Sequence, residues 1–128
     1  MTQEEIQEYN KRCAKFMGFY YKDDNTVQPI HNWVTGLSTM TYSPKTYLKF
    51  DSDWNWIMEV LSQITKIGWN WSLIDFKGTV KEEKPFEVAI FNLDLDKPYN
   101  KILFSAISPK EAVVQAINQF LIWYNKTI

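Results

Sequence analysis

Moving a proton or attacking a carbonyl near neutral pH needs a base beside a nucleophile, and this chain has one histidine, His31, and one cysteine, Cys13. His31 stands in a stretch rich in Asp, Asn, Thr, Ser, Gly and Pro, and no G-x-S-x-G elbow occurs in the sequence. Cys13 falls on an apolar stripe of helical spacing, the place of a small buried hydrophobe rather than of an activated thiolate. A tetrahedral zinc site wants about four Cys or His ligands, so an internal structural zinc is excluded, and a lone cysteine excludes an internal disulfide. Asp51-Ser52-Asp53-Trp54-Asn55 opens like a calcium loop, but Trp56 stands where the glycine belongs and Ser62 where the glutamate belongs. Helix capping accounts for it better. Asp94 and Asp96 share one face of an extended segment and could offer magnesium two carboxylates, yet Lys97 and Pro98 beside them read as turn chemistry. The glycines, at 18, 36, 68 and 78, are too far apart to cradle a phosphate. Dispersed carboxylates such as Glu59, Asp75 and Glu87 could meet in space, but no spacing singles them out. No catalytic residue, no metal site and no cofactor is expected, and the chain is read as a non-enzymatic protein.

The compositional oddity is aromatic: six Trp, seven Tyr and eight Phe. Trp54, Trp69, Trp71 and Phe120 fall on the core faces of their elements. Trp56 lies outside the stripe of residues 54, 57, 58 and 61 and is expected to project from the side of its helix. Trp33 lies in a polar loop with His31, Met40 and Tyr42, and large aromatics with Met in a long loop are typical anchors of protein interfaces or a lid over the fold. His31, Trp33, Met40, Tyr42 and Trp56 thus form a candidate partner-binding set. A second candidate set, Tyr21, Lys22, Lys45, Tyr47 and Lys49, interleaves rings with cations as single-stranded nucleic-acid platforms do. A net charge of −1 weighs against it, since phosphate neutralisation favours a basic surface, and mimicry of nucleic acid would need a strongly acidic one.

The elements that must carry these residues follow from pattern. Thr2 and Glu5 form a capping box, and Ile6, Tyr9, Cys13, Phe16 and Met17 recur at helical spacing until Gly18, predicting a helix over 3–17. Phe19 to Lys22 can begin a strand. The stretch from 23 to 44 is mostly loop with room for short strands, and residues 46–50 have strand composition. Asp51 or Ser52 can cap a helix over 52–67, with Trp54, Ile57, Met58, Leu61 and Ile64 on one face and Gly68 as its stop. Trp69, Trp71 and Leu73 alternate along a half-buried strand, residues 79–85 read as an exposed hairpin tip, and Phe86 to Leu93 reads as a central strand covered on both faces. Another strand spans 101–107. Ser108, Pro109 and Glu111 then start a final helix whose stripe of Val113, Ala116, Ile117, Phe120 and Tyr124 is suited to packing on the sheet. The predicted fold class is α+β: one domain over 1–128, with a small, mostly antiparallel sheet of about 4–5 strands packed with three helices in an α-β-α layering.

Three blocks, CAKFMGFYY, YLKFDSDWNWIMEVLSQITKIG and SPKEAVVQAINQFLIWYN, together resemble the small proteins of bacterial viruses and prophages that carry the phage ABA sandwich domain. Residues 77–100 carry no part of the resemblance. It implies a sheet layered between helices and a mobile-element origin, and it transfers no activity and no catalytic residue.

With 45% hydrophobic residues and nearly cancelling charges, disorder as the main state is excluded. The acidic, polar first ten residues are unlike a secretory signal and no long apolar run is present, so the expected location is the cytoplasm of a bacterial host cell. The expected function is docking on a host protein or ribonucleoprotein, as an inhibitor of a bacterial defence system of the anti-CRISPR kind. Single-stranded nucleic-acid binding and small-ligand binding are the alternatives, and a homodimer is compatible with all three.

Overall fold

The computed structural model describes residues 1–23, 26–28, 48–76, 83–92 and 101–127, without the side chains of 20–23, 26–28, 126 and 127. Among them run α1 (Gln3–Phe16), β1 (Tyr20–Asp23), β2 (Thr26–Gln28), α2 (Trp54–Lys66), β3 (Asn70–Asp75), β4 (Phe86–Phe91), β5 (Lys101–Ala106) and α3 (Pro109–Thr127). The fold class is α+β. Two compact units, residues 1–60 and 61–128, divide the chain within α2.

In the first unit, α1 begins on the predicted capping box, with the Glu5 amide donating to Thr2 Oγ1 and the Thr2 amide to the Glu5 carboxylate. Its buried residues are Tyr9, Asn10, Cys13 and Ala14. The helix stops where predicted. Gly18 takes a φ of 78°, its amide donates to Lys15 O, and the Phe19 amide donates to Ala14 O, the two bonds of a Schellman motif. The turn delivers Phe19 into a cluster with Phe50 and Trp56, whose rings meet edge-on at 4.8 Å between centroids. β1, in the segment expected to begin a strand, pairs with the short β2 as an antiparallel ribbon.

Two expectations fail before and within α2. Residues 48–53, read in part as a strand, form a turn in which the amides of Ser52 and Asp53 both bond Lys49 O. The cap is accordingly Asp53, whose carboxylate accepts the Asn55 amide at 2.9 Å, rather than Asp51 or Ser52. The buried face of α2 is also rotated from the predicted one. Trp56, Ile57, Val60, Leu61 and Ile64 are buried, while Trp54 and Met58 are exposed. Both faces satisfy helical spacing because the helix is apolar on more than half its circumference, and the Phe19–Phe50 pair selects the Trp56 side.

In the second unit, β3, β4 and β5 form an antiparallel meander in which Ile90 lies between Trp71 and Ile102, and Ala89 between Ser72 and Leu103. β4 is central, as its composition predicts, with Val88, Ala89 and Ile90 all buried. The second helix stop repeats the first. Gly68, at φ 101°, donates to Thr65 O, and Trp69 donates to Ile64 O. Trp69 thereby packs edge-on against Phe120 and Trp123 of α3, with centroids 5.2 and 5.1 Å away. Ser108 Oγ accepts the Glu111 amide at the start of α3, which lies against β4 and β5 as its stripe predicts. Leu73, expected on the half-buried face of its strand, is exposed toward the end of β3. The predicted hairpin tip at 79–85 and the Asp94–Asp96 pair fall largely or wholly outside the described residues.

Candidate functional site

The described part of α1 and the turn of residues 48–52 enclose a cleft of about 260 Å³. Its α1 wall carries Gln3, Ile6, Gln7 and Asn10, and the turn contributes Leu48, Lys49, Asp51 and Ser52. All of these belong to the first unit. Asn10 is its unusual member. It is 4% exposed, its Nδ2 donates to Asp51 Oδ1 at 3.0 Å, and its Oδ1 has no hydrogen-bond partner. An unsatisfied buried acceptor of this kind costs about 1–3 kcal/mol, so its presence asks for a reason.

The turn is held at a second point, where Tyr9 Oη donates to Phe50 O at 3.0 Å. Burial raises the Tyr9 phenol well above its ordinary value, and the nearby Cys13 and the charge of Asp51 push the same way. Burial likewise raises the Cys13 thiol far above its usual range, against weaker opposing effects of the Tyr9 hydroxyl and Arg12. A thiol held protonated and fully buried is inert, as its place on the stripe suggests.

A second surface lies on the sheet. Trp69, in phase with Trp71 and Leu73, packs on α3, so α3 covers the face that also holds Val88 and Ile90. The opposite face presents Asn70, Ser72 and Ile74 of β3, Glu87, Ala89 and Phe91 of β4, and Lys101, Leu103 and Ser105 of β5. Ile74, opposite Glu87 of β4, is 44% exposed, and Leu103, opposite Ala89 of β4, is 45% exposed.

Of the residues singled out in the sequence, Trp56 is corrected. It is 3% exposed and packed between Phe19 and Phe50, so it does not project for a partner. His31, Trp33, Met40 and Tyr42 lie outside the described residues, as do Lys45 and Tyr47 of the nucleic-acid set. Tyr21 and Lys22 lie in β1, where only the backbone is described, and Lys49 is exposed on the wall of the cleft. Asn10 went unnoticed in the sequence although a signal was present. It sits four residues after Ile6 and three before Cys13, a polar amide on an apolar stripe. Among the described residues no group of three or more His, Cys, Asp or Glu could hold a metal ion, and no helix is long and apolar enough to cross a membrane.

No family model matches this chain, and neither a curated protein nor a solved structure does.

Proposed function

We propose that the chain is a non-enzymatic binding protein of a bacterial virus or prophage, acting in the host cytoplasm by docking on a host protein. The observation that carries this is the sheet face opposite α3, where Ile74 stands exposed across from Glu87 and Leu103 across from Ala89, with Asn70, Ser72 and Ser105 on the same face and Lys101 at its end. Apolar side chains ringed by polar ones are the make-up of a protein interface. One cation and one anion among the described residues of that face, with a net charge of −1, favour a protein over a nucleic acid. The viral origin rests on the resemblance of the three sequence blocks to phage ABA sandwich proteins, and inhibition of a defence system is the role small accessory proteins of such elements commonly take.

The test is affinity capture from a host-type bacterial lysate, with and without nuclease, using the full chain and its Leu103→Asp variant. Folding of the variant is checked by circular dichroism. One host protein captured in the presence of nuclease, and lost at least tenfold on Leu103→Asp, is the expected result. Capture indifferent to Leu103→Asp overturns the assignment of this face, and capture abolished by nuclease replaces the protein partner with a nucleic acid. A wild-type dimer that Leu103→Asp converts to monomer assigns the face to self-association instead.

A further inference from the structure

We propose that the cleft between α1 and the 48–52 turn binds a small molecule through a donor-rich cationic group, an alkylammonium or a guanidinium. This does not depend on docking at the sheet. Its basis is an imbalance of hydrogen-bonding groups. The bond from Asn10 Nδ2 to Asp51 Oδ1 at 3.0 Å fixes which way the buried amide faces, because the reversed amide would set two oxygens against each other. Asn10 Oδ1 is then a buried acceptor without a hydrogen-bond partner, on a residue that lines the cleft.

The neighbouring group decides the kind of donor. Asp51 spends one acceptor position on Asn10 and keeps the rest of its carboxylate, so a charged acceptor on the turn and a neutral one on α1 are joined across the cleft lining. A group with several N–H bonds and a positive charge suits both at once, whereas an anion would face the carboxylate. At about 260 Å³ the cleft is of a size suited to a small ligand. Ile6 and Leu48 supply apolar walls for an alkyl stem. Because Oδ1 is itself closed to water, the occupant must shift side chains of the lining to reach it.

The experiment is an NMR titration of the ¹⁵N-labelled full chain with methylguanidinium chloride, methylammonium chloride and, as control, sodium acetate at constant ionic strength. At least one cation is expected to give saturable shifts at the Asn10 side-chain amide and the amides of residues 48–52, with acetate giving none. Asp51→Asn, folded by circular dichroism, weakens that binding at least tenfold, and Asn10→Leu abolishes it while raising Tm because the orphaned oxygen is gone. Shifts that stay linear in concentration, that acetate reproduces, or that persist unchanged in Asp51→Asn overturn the proposal. So does a slowly exchanging water detected against the Asn10 amide, since the acceptor would then already be satisfied.

Discussion

At the scale of single residues, the interior of the first unit joins two ionisable groups that are both kept neutral. Tyr9 and Cys13 are fully buried, and each has its pKa raised chiefly by desolvation. The ordinary values are 9.0 for the thiol and 10.0 for the phenol. Below those values both groups are protonated in folded and unfolded chains alike, and their contribution is fully present. As pH rises past 9.0, the unfolded chain releases the Cys13 proton that the folded chain retains, so stability falls, by about 1.4 kcal/mol per pH unit for each such group. Tyr9 joins above 10.0. Urea midpoints of wild type and Cys13→Ala, followed from about pH 8 upward, check this: the wild type should lose stability between pH 9 and 10 more steeply than Cys13→Ala by about one proton's worth. Parallel profiles would mean that the thiol ionises as easily folded as unfolded. The inertness of Cys13 was legible from its spacing alone, but the Asn10–Asp51 bond was not, because it joins residues separated by 41 positions through a turn whose path no local pattern specifies.

At the scale of elements, the two helix stops are one device used twice. Each places a glycine in the left-handed region and the next residue, Phe19 or Trp69, into an aromatic cluster. Both stops were readable, since glycine after the last apolar residue of a helical stripe is a local signal. The buried face of α2 was not. Trp54 and Trp56 lie two positions apart on a helix apolar over most of its surface, and which of them is buried depends on Phe50, a contact from outside the helix. The same dependence explains why a turn replaced the expected strand at 48–50: β-favouring residues adopt a strand only where a neighbouring strand accepts their bonds. Gly68 isolates the backbone contribution cleanly, because a Cβ there would meet no atom within 4 Å while φ stays at 101°. Gly68→Ala should therefore destabilise by about 1–2 kcal/mol through strain alone, and Gly68→Asn by less, since asparagine tolerates positive φ. Denaturant unfolding of the two variants measures it, and equal stabilities for wild type and Gly68→Ala would show that the stop does not need the left-handed conformation.

For the molecule as a whole, the α+β class, the central place of β4 and the packing of α3 on the sheet were legible because composition and capping signals agree over long stretches. The grouping of the described strands into a ribbon and a three-stranded sheet was not, since pairing is decided between segments rather than within them. Charge is the other global property that bears on function. Fourteen cations against fifteen carboxylates leave no excess to release counterions from a phosphate backbone. A docking interface built on Ile74 and Leu103 should then bind with weak dependence on salt, its affinity changing by less than about threefold between 50 and 200 mM. A nucleic-acid ligand held by several phosphate contacts would lose orders of magnitude over the same range. Fluorescence anisotropy with single-stranded DNA and RNA at low salt, beside the salt series on the captured protein partner, separates the two. Tight binding to either strand with a steep negative salt slope would transfer the function to nucleic acid, whatever the sheet face presents.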